Sequence, residues 1–99
     1  MKTVFLVLLH WGYEYDSGVD YYLFDSYDKA YDKFKELIQD EIQNAWINNK
    51  LDDNGEPIDG YELDFEDNNS DETDCWWNFK QIGYSEIFSN IDLRKVEVK

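Results

Sequence analysis

The stretch SYDKAYDKFKELIQDEIQNAWIN, residues 26–48, carries the clearest pattern in the chain. Its apolar residues recur every three or four positions, which places them on one face of an α-helix. Ser26 is a favourable N-terminal cap, and Asp28 falls in the first turn, where the helix dipole favours negative charge. The spacing therefore predicts one long helix over about residues 26–48, whose buried stripe contains Ala30, Tyr31, Phe34, Leu37, Ile38, Ile42, Ala45 and Trp46.

Two apolar segments before this helix predict a pair of strands. Thr3–Trp11 is apolar on both of its alternating sets of residues, which is typical of a central strand covered on both faces. Val19–Phe24 follows a polar turn at residues 14–18, so we expect it to form a hairpin with the first strand. Because side chains alternate along a strand, one face of the second strand would carry Val19, Tyr21 and Leu23.

Three further strands are predicted after the helix, at 60–66, 76–82 and 87–98. They are separated by a loop at 48–59, an acidic loop at 67–74 (DNNSDETD) and a turn at 83–85. The segment GYELDFE alternates strictly, which predicts a half-buried strand with one carboxylate-bearing face and one apolar face. Its two faces would carry Glu62, Asp64 and Glu66 on one side and Tyr61, Leu63 and Phe65 on the other.

This order, β-β-α-β-β-β, predicts an α+β fold with one long helix packed on a mostly antiparallel sheet. Residues 1–99 are expected to form a single domain. One helix covers only one face of such a sheet, so the second face needs a cover of its own. A curled sheet, the partner in a homodimer or another protein would each supply it.

The chain is strongly acidic, with a formal net charge of −14 and a pI of about 4.1. Such a charge opposes direct binding to nucleic acid or to an anionic membrane surface. The single cysteine excludes a disulfide framework, and we find no signal-peptide pattern and no apolar run of roughly 20 residues. We therefore expect a cytoplasmic protein without a membrane segment.

The negative charge is concentrated in one part of the sequence. Between Glu36 and Phe79 there are fourteen acidic residues and one basic residue, Lys50. Alternate residues of a strand lie ~6.6 Å apart, and phosphates advance ~3.4 Å per residue along one strand of a duplex, so a row of carboxylates can imitate a phosphate backbone. Exposed tryptophans make good interface anchors. The expected partner-binding residues are Glu62, Asp64, Glu66, Asp67, Asp71, Glu72 and Asp74, with Trp76 or Trp77 as the anchor.

These observations lead to the hypothesis of a non-enzymatic inhibitor that occupies a basic, nucleic-acid-binding surface of another protein. The alternative is a homo-oligomeric interaction module joined through the second sheet face, with an acidic surface that is merely solvated. Charge runs are usually solvated surfaces, so both hypotheses stay open at this point.

Catalytic, metal and cofactor sites find little support in the sequence. The loop around Gly55 fails as a calcium loop, because Lys50 and Tyr61 stand where ligands are needed. The carboxylates at 67–71 would hold a cation only weakly, and one histidine with one cysteine cannot form a usual structural zinc site. Acidic neighbours disfavour the thiolate of Cys75, and His10 is more typical of a structural histidine. We expect no enzyme activity, no catalytic residue, no metal site and no cofactor.

The motif F-x-S-x-x-x-A, which here is Phe24, Ser26 and Ala30, leads from a strand into the helix. With the closing segments Gly83-Tyr84 and Val96-Glu97-Val98, it resembles small acidic uncharacterised bacterial and phage proteins. In size and charge the chain is also similar to phage anti-defence proteins, including some anti-CRISPR proteins. The shared motifs encode folding, and the resemblance carries no functional residue to this chain.

Overall fold

Two strands, two helices and three further strands follow one another along the described part of the chain. A computed structural model describes residues 2–13, 15–43, 45–66, 74–84 and 86–98. The strands are β1 (Lys2–Tyr13), β2 (Asp16–Phe24), β3 (Tyr61–Glu66), β4 (Cys75–Gln81) and β5 (Phe88–Val98), and the helices are α1 (Tyr27–Ile42) and α2 (Ala45–Asn48). The predicted α+β class is confirmed: one main helix follows two strands, precedes three more, and packs on an antiparallel sheet.

The sheet has the strand order β2-β1-β5-β4-β3, and every neighbouring pair is antiparallel. The first and last strands of the chain therefore pair at its centre, where Val7 lies opposite Leu93. The edges of the sheet are β2 on one side and β3 on the other. This arrangement sets the two surfaces described below at opposite ends of the sheet.

The helix begins where the sequence predicts and ends earlier. Ser26 caps α1, because its Oγ accepts a hydrogen bond from the backbone N–H of Lys29 at 3.3 Å. The prediction of one helix running to about residue 48 was wrong: α1 ends at Ile42, and α2 is a separate short turn. The break redirects the chain so that Ile47, fully buried, packs in the core. The side chains of Ala45 and Trp46, expected in the stripe, lie outside the described residues.

The β1–β2 hairpin is longer and tighter than the sequence indicates. Tyr13 pairs with Asp16, so two residues connect the strands in place of the expected turn at 14–18. Gly18 permits this extension of β2, because a Cβ there would lie 2.6 Å from Nε1 of Trp11. The absence of a side chain lets the indole lie over the backbone of its cross-strand partner.

The core lies between α1 and one face of the sheet. Alternate residues of the inner strands point toward the helix, while Ala30, Phe34 and Leu37 of α1 point toward the sheet. The fully or almost fully buried apolar residues from the strands are Val7, Cys75, Trp77, Phe79, Ile91 and Leu93.

We call the other side of the sheet the open face. No described element covers it, so the cover that the apolar first strand predicts for this face is not supplied by the described part of the chain. Val7 of β1 is fully buried under the helix, whereas Leu6 and Leu8, which point to the open face, are only half-buried. The sixteen-residue helix α1 lies on one side of the five-stranded sheet, so it can cover only that face.

Candidate binding surface

The candidate site is a row of three exposed carboxylates on edge strand β3. Leu63 of this strand packs against the core, so its sequence neighbours Glu62 and Asp64 must point to the open face, together with Glu66. The strict alternation in the sequence is thus confirmed as an alternation of faces. We call Glu62, Asp64 and Glu66 the carboxylate row.

Two members of the row form no ion pair among the described residues. Glu62 lies opposite Lys80 of β4, and the Lys80 Nζ–Glu62 Oε2 distance is 3.7 Å. Both side chains are about half exposed, so this ion pair adds little to stability. Among the described residues, neither Asp64 nor Glu66 has an ion pair. The unneutralised part of the row is therefore its end nearest the acidic loop.

The two adjacent tryptophans have opposite surroundings. Trp76 points to the open face opposite Glu66 and is 36% exposed. Trp77 points toward α1, is 4% exposed and stacks on Phe79 with ring centroids 6.2 Å apart. Of the two expected anchors, Trp77 belongs to the core, and only Trp76 offers surface to a partner.

A chain of side-chain hydrogen bonds crosses the open face beside the row. Asn78 donates to Asn90 at 3.1 Å, and Asn90 donates to Asp92 Oδ2 at 3.0 Å. Arg94 also donates to Asp92 Oδ2, at 3.3 Å. Asp92 is therefore paired, and it adds less to the acidic character of this face than the members of the row do.

The other predicted acidic residues do not all join the row. Asp74 is exposed, and its Oδ1 accepts a hydrogen bond of 3.4 Å from the backbone N–H of Lys95, which ties the start of β4 to β5. Glu36 and Asp40 lie on α1, on the opposite side of the sheet from the row. Lying outside the described residues are Asp67, Asp71 and Glu72.

An apolar groove of about 250 Å³ lies between α1 and β3, on the helix side of the sheet. Phe34 and Ile38 line it from the helix, and Leu63 and Phe65 line it from the strand. Phe65, which alternation alone would place inward, is 60% exposed, and β3 is an edge strand with no neighbouring strand on its outer side. Glu66 and Trp76 also line this groove, so the row ends where the groove opens.

A second surface lies at the far edge of the sheet, and the sequence named none of its residues as partner-binding. Val19, Tyr21 and Leu23 of β2 share one face of the strand as predicted, that face is the open face, and they are 57%, 67% and 59% exposed. Three apolar side chains at alternate positions on one face of a strand are unusual at a solvent-facing edge. Their alternation was visible in the sequence, but their exposure depends on β2 being the edge strand.

The described residues contain no cluster of three or more His, Cys, Asp or Glu side chains arranged to hold a metal ion. In the loop tested above as a calcium site, Asp52 Oδ1 accepts hydrogen bonds from the N–H groups of Asn54 and Glu56, each at 2.9 Å. This carboxylate shapes the turn.

Cys75 is 1% exposed, and its Sγ lies 3.3 Å from the Tyr27 hydroxyl. His10 is exposed and packs edge-on against Phe88, with ring centroids 4.9 Å apart.

Comparison of this chain with protein-family models, curated proteins and solved structures finds no significant match. The resemblance to small phage and bacterial proteins stays a prediction. Neither described helix has the length and apolar character needed to cross a membrane.

Proposed function

We propose that this protein acts by binding, as an acidic inhibitor that occupies the basic, nucleic-acid-binding surface of another protein. The observation that carries the proposal is the carboxylate row on β3 with Trp76 beside it. Strand geometry spaces the carboxylates ~6.6 Å apart, a regular array whose spacing is of the same order as that of the phosphates along a duplex strand.

Three properties of the row support this function over simple solvation. Its charges are exposed, two of its three members lack an ion pair within the described residues, and it lies at the edge of the sheet. Trp76 adds an aromatic surface next to Glu66, and aromatic side chains often carry the energy of an interface. A basic partner would gain charge pairs and one apolar contact at the same place.

The experiment is a pull-down from native lysate with the wild-type chain and two charge-reversed variants. The test variant carries Glu62→Lys, Asp64→Lys and Glu66→Lys. The matched control carries Asp28→Lys, Asp32→Lys and Glu36→Lys, which changes the net charge equally on α1, away from the open face. Bound proteins are eluted with a salt gradient or with duplex DNA and identified by mass spectrometry.

We expect the wild type and the helix control to retain a basic nucleic-acid-binding protein that moderate salt or added DNA releases. The row variant should lose it. An equal loss of retention in both variants would mean that only overall charge matters, and full retention by both variants would remove the row from the function.

Self-association is the second candidate function, and the exposed apolar residues of the open face favour it. Val19, Tyr21 and Leu23 leave water-exposed apolar surface that a second copy would bury. Light scattering across a range of concentrations tests it. A monomer at high micromolar concentration would count against this function and would leave the acidic inhibitor untouched.

A further inference from the structure

The backbone of β2 presents unpaired hydrogen-bonding groups at the edge of the sheet. Tyr13 and Asp16 pair across a two-residue connection, so this closing pair must be one that exchanges both backbone hydrogen bonds. Such pairs alternate with non-bonded pairs along an antiparallel ladder. The N–H and C=O groups that point away from β1 are therefore those of Ser17, Val19, Tyr21 and Leu23. The Ser17 N–H already donates to Asp16 Oδ1 at 2.9 Å, so the N–H groups left for a partner strand are those of Val19, Tyr21 and Leu23.

Of these four residues, Val19, Tyr21 and Leu23 also carry exposed apolar side chains. Natural edge strands are usually protected by lysine, proline or a bulge. β2 contains no lysine or proline, and its register with β1 runs uninterrupted from Tyr13↔Asp16 to Phe5↔Phe24. The other edge, β3, carries three carboxylates on its six residues. The β2 edge is the one suited to pair with another strand.

We propose that β2 pairs antiparallel with β2 of a second copy of this chain, about a two-fold axis at Tyr21. In this register Tyr21 lies opposite the Tyr21 of the second copy, and Val19 lies opposite Leu23. The two sheets join into one of ten strands. This inference rests on self-association, the second candidate function, and names the strand that carries it.

The charges on β2 select this register. A shift that centres the axis on Asp20 would place two aspartates directly opposite each other, which is destabilising. A shift that centres it on Tyr22 would leave Val19 without an apolar partner. With the axis at Tyr21, Asp20 lies opposite Tyr22 of the second copy, and Lys33 Nζ lies 4.4 Å from the centroid of that ring. Asp20 then faces a tyrosine ring that carries a cation, Lys33, which also pairs with Glu36 at 3.4 Å.

The carboxylate row does not oppose contact at this edge. The carboxylate row lies four strand spacings from β2, which is ~19 Å at ~4.8 Å per strand. This separation exceeds the Debye length of ~8 Å at physiological ionic strength, so its repulsion is largely screened. A dimer through β2 also leaves the carboxylate row of both copies exposed.

Amide hydrogen exchange of the unmodified protein, followed by NMR at several concentrations, tests the proposal. At a total concentration ten times the dimer dissociation constant, about a fifth of the chains are monomeric, so the amides of Val19, Tyr21 and Leu23 should exchange roughly fivefold more slowly than in the monomer. By the same alternation, Leu63 and Phe65 of β3 point their amides outward. They are the matched control, and their exchange should not change with concentration.

Cross-linking supplies a second measurement. Opposed Cα atoms in a hydrogen-bonded antiparallel pair are ~5.5 Å apart, so a Tyr21→Cys variant should form a disulfide-linked dimer under mild oxidation. Leu6→Cys is the control on the open face of β1, where the edge-paired copies would stand at least ~14 Å apart. The native Cys75 is buried and does not compete.

The outcomes distinguish self-association in general from pairing through β2. A chain that stays monomeric at every concentration overturns both self-association and β2 pairing. A dimer in which the β2 amides exchange unchanged, or in which Leu6→Cys cross-links in place of Tyr21→Cys, overturns β2 pairing alone and assigns the contact to the open face.

Discussion

Ser89 of β5 donates a hydrogen bond of 2.8 Å to Oε1 of Glu41, near the C-terminal end of α1, and both side chains are buried. This bond joins the helix to the central part of the sheet. Glu41 counts toward the acidic excess of the sequence, but it serves the fold. The acidic surface is therefore smaller than the sequence indicates.

Replacing Ser89 with alanine should destabilise the fold by about 1–3 kcal/mol, because the buried carboxyl of Glu41 loses a donor that water cannot replace. Urea unfolding followed by tryptophan fluorescence measures the change. Ser17→Ala is the matched control, since Ser17 is exposed and should stay within about 0.5 kcal/mol of the wild type. Equal effects of the two variants would contradict a structural role for the Ser89–Glu41 bond.

The adjacent tryptophans should respond very differently to truncation. Trp77→Ala empties a packed site between Phe79 and the helix and should cost about 3–5 kcal/mol, whereas Trp76→Ala should cost about 1 kcal/mol. Denaturant unfolding of both variants gives the comparison. If Trp77→Ala leaves no folded protein, Trp77→Phe provides a smaller loss that is still measurable. A larger loss at Trp76 would reverse the assignment of core and surface.

Salt should stabilise the isolated chain, because ions screen the repulsion among its negative charges. A gain of about 1 kcal/mol would raise Tm by about 4–8 °C for a domain of this size. The variant with Glu62→Gln, Asp64→Gln and Glu66→Gln should show a smaller rise, since it removes three clustered charges. Thermal unfolding at low and at physiological ionic strength measures both. An identical response in the variant would mean that the row does not strain the fold.

Loss of the helix cap should weaken α1 measurably. Ser26→Ala removes the oxygen that accepts from the Lys29 N–H and should cost about 1 kcal/mol. Ser26→Asp supplies another capping oxygen and should keep most of the wild-type stability. The free energy of unfolding in urea separates the variants. The cap would be unimportant if alanine and aspartate behaved alike.

Much of the local structure could be predicted from neighbouring residues. The cap at Ser26, the apolar stripe from Ala30 to Leu37 and the alternation of Tyr61–Glu66 all depend on residues a few positions apart, and all are confirmed. The end of the helix was not predictable in this way. The same apolar spacing continues past Ile42, and only the position that Ile47 takes in the core shows where the chain must turn.

The candidate surfaces were predictable only in part. The alternation of GYELDFE by itself placed the three carboxylates on one face, because side chains in a strand must alternate. Which tryptophan is exposed, which acidic residues lie across the sheet and which strand forms the open edge followed from the order and register of strands distant in sequence. The sequence determined the helix, the strands and the net charge through local periodicity and composition. The tertiary structure alone decided which of those charges and apolar side chains are exposed together, because contacts between distant segments set the faces and edges of the sheet.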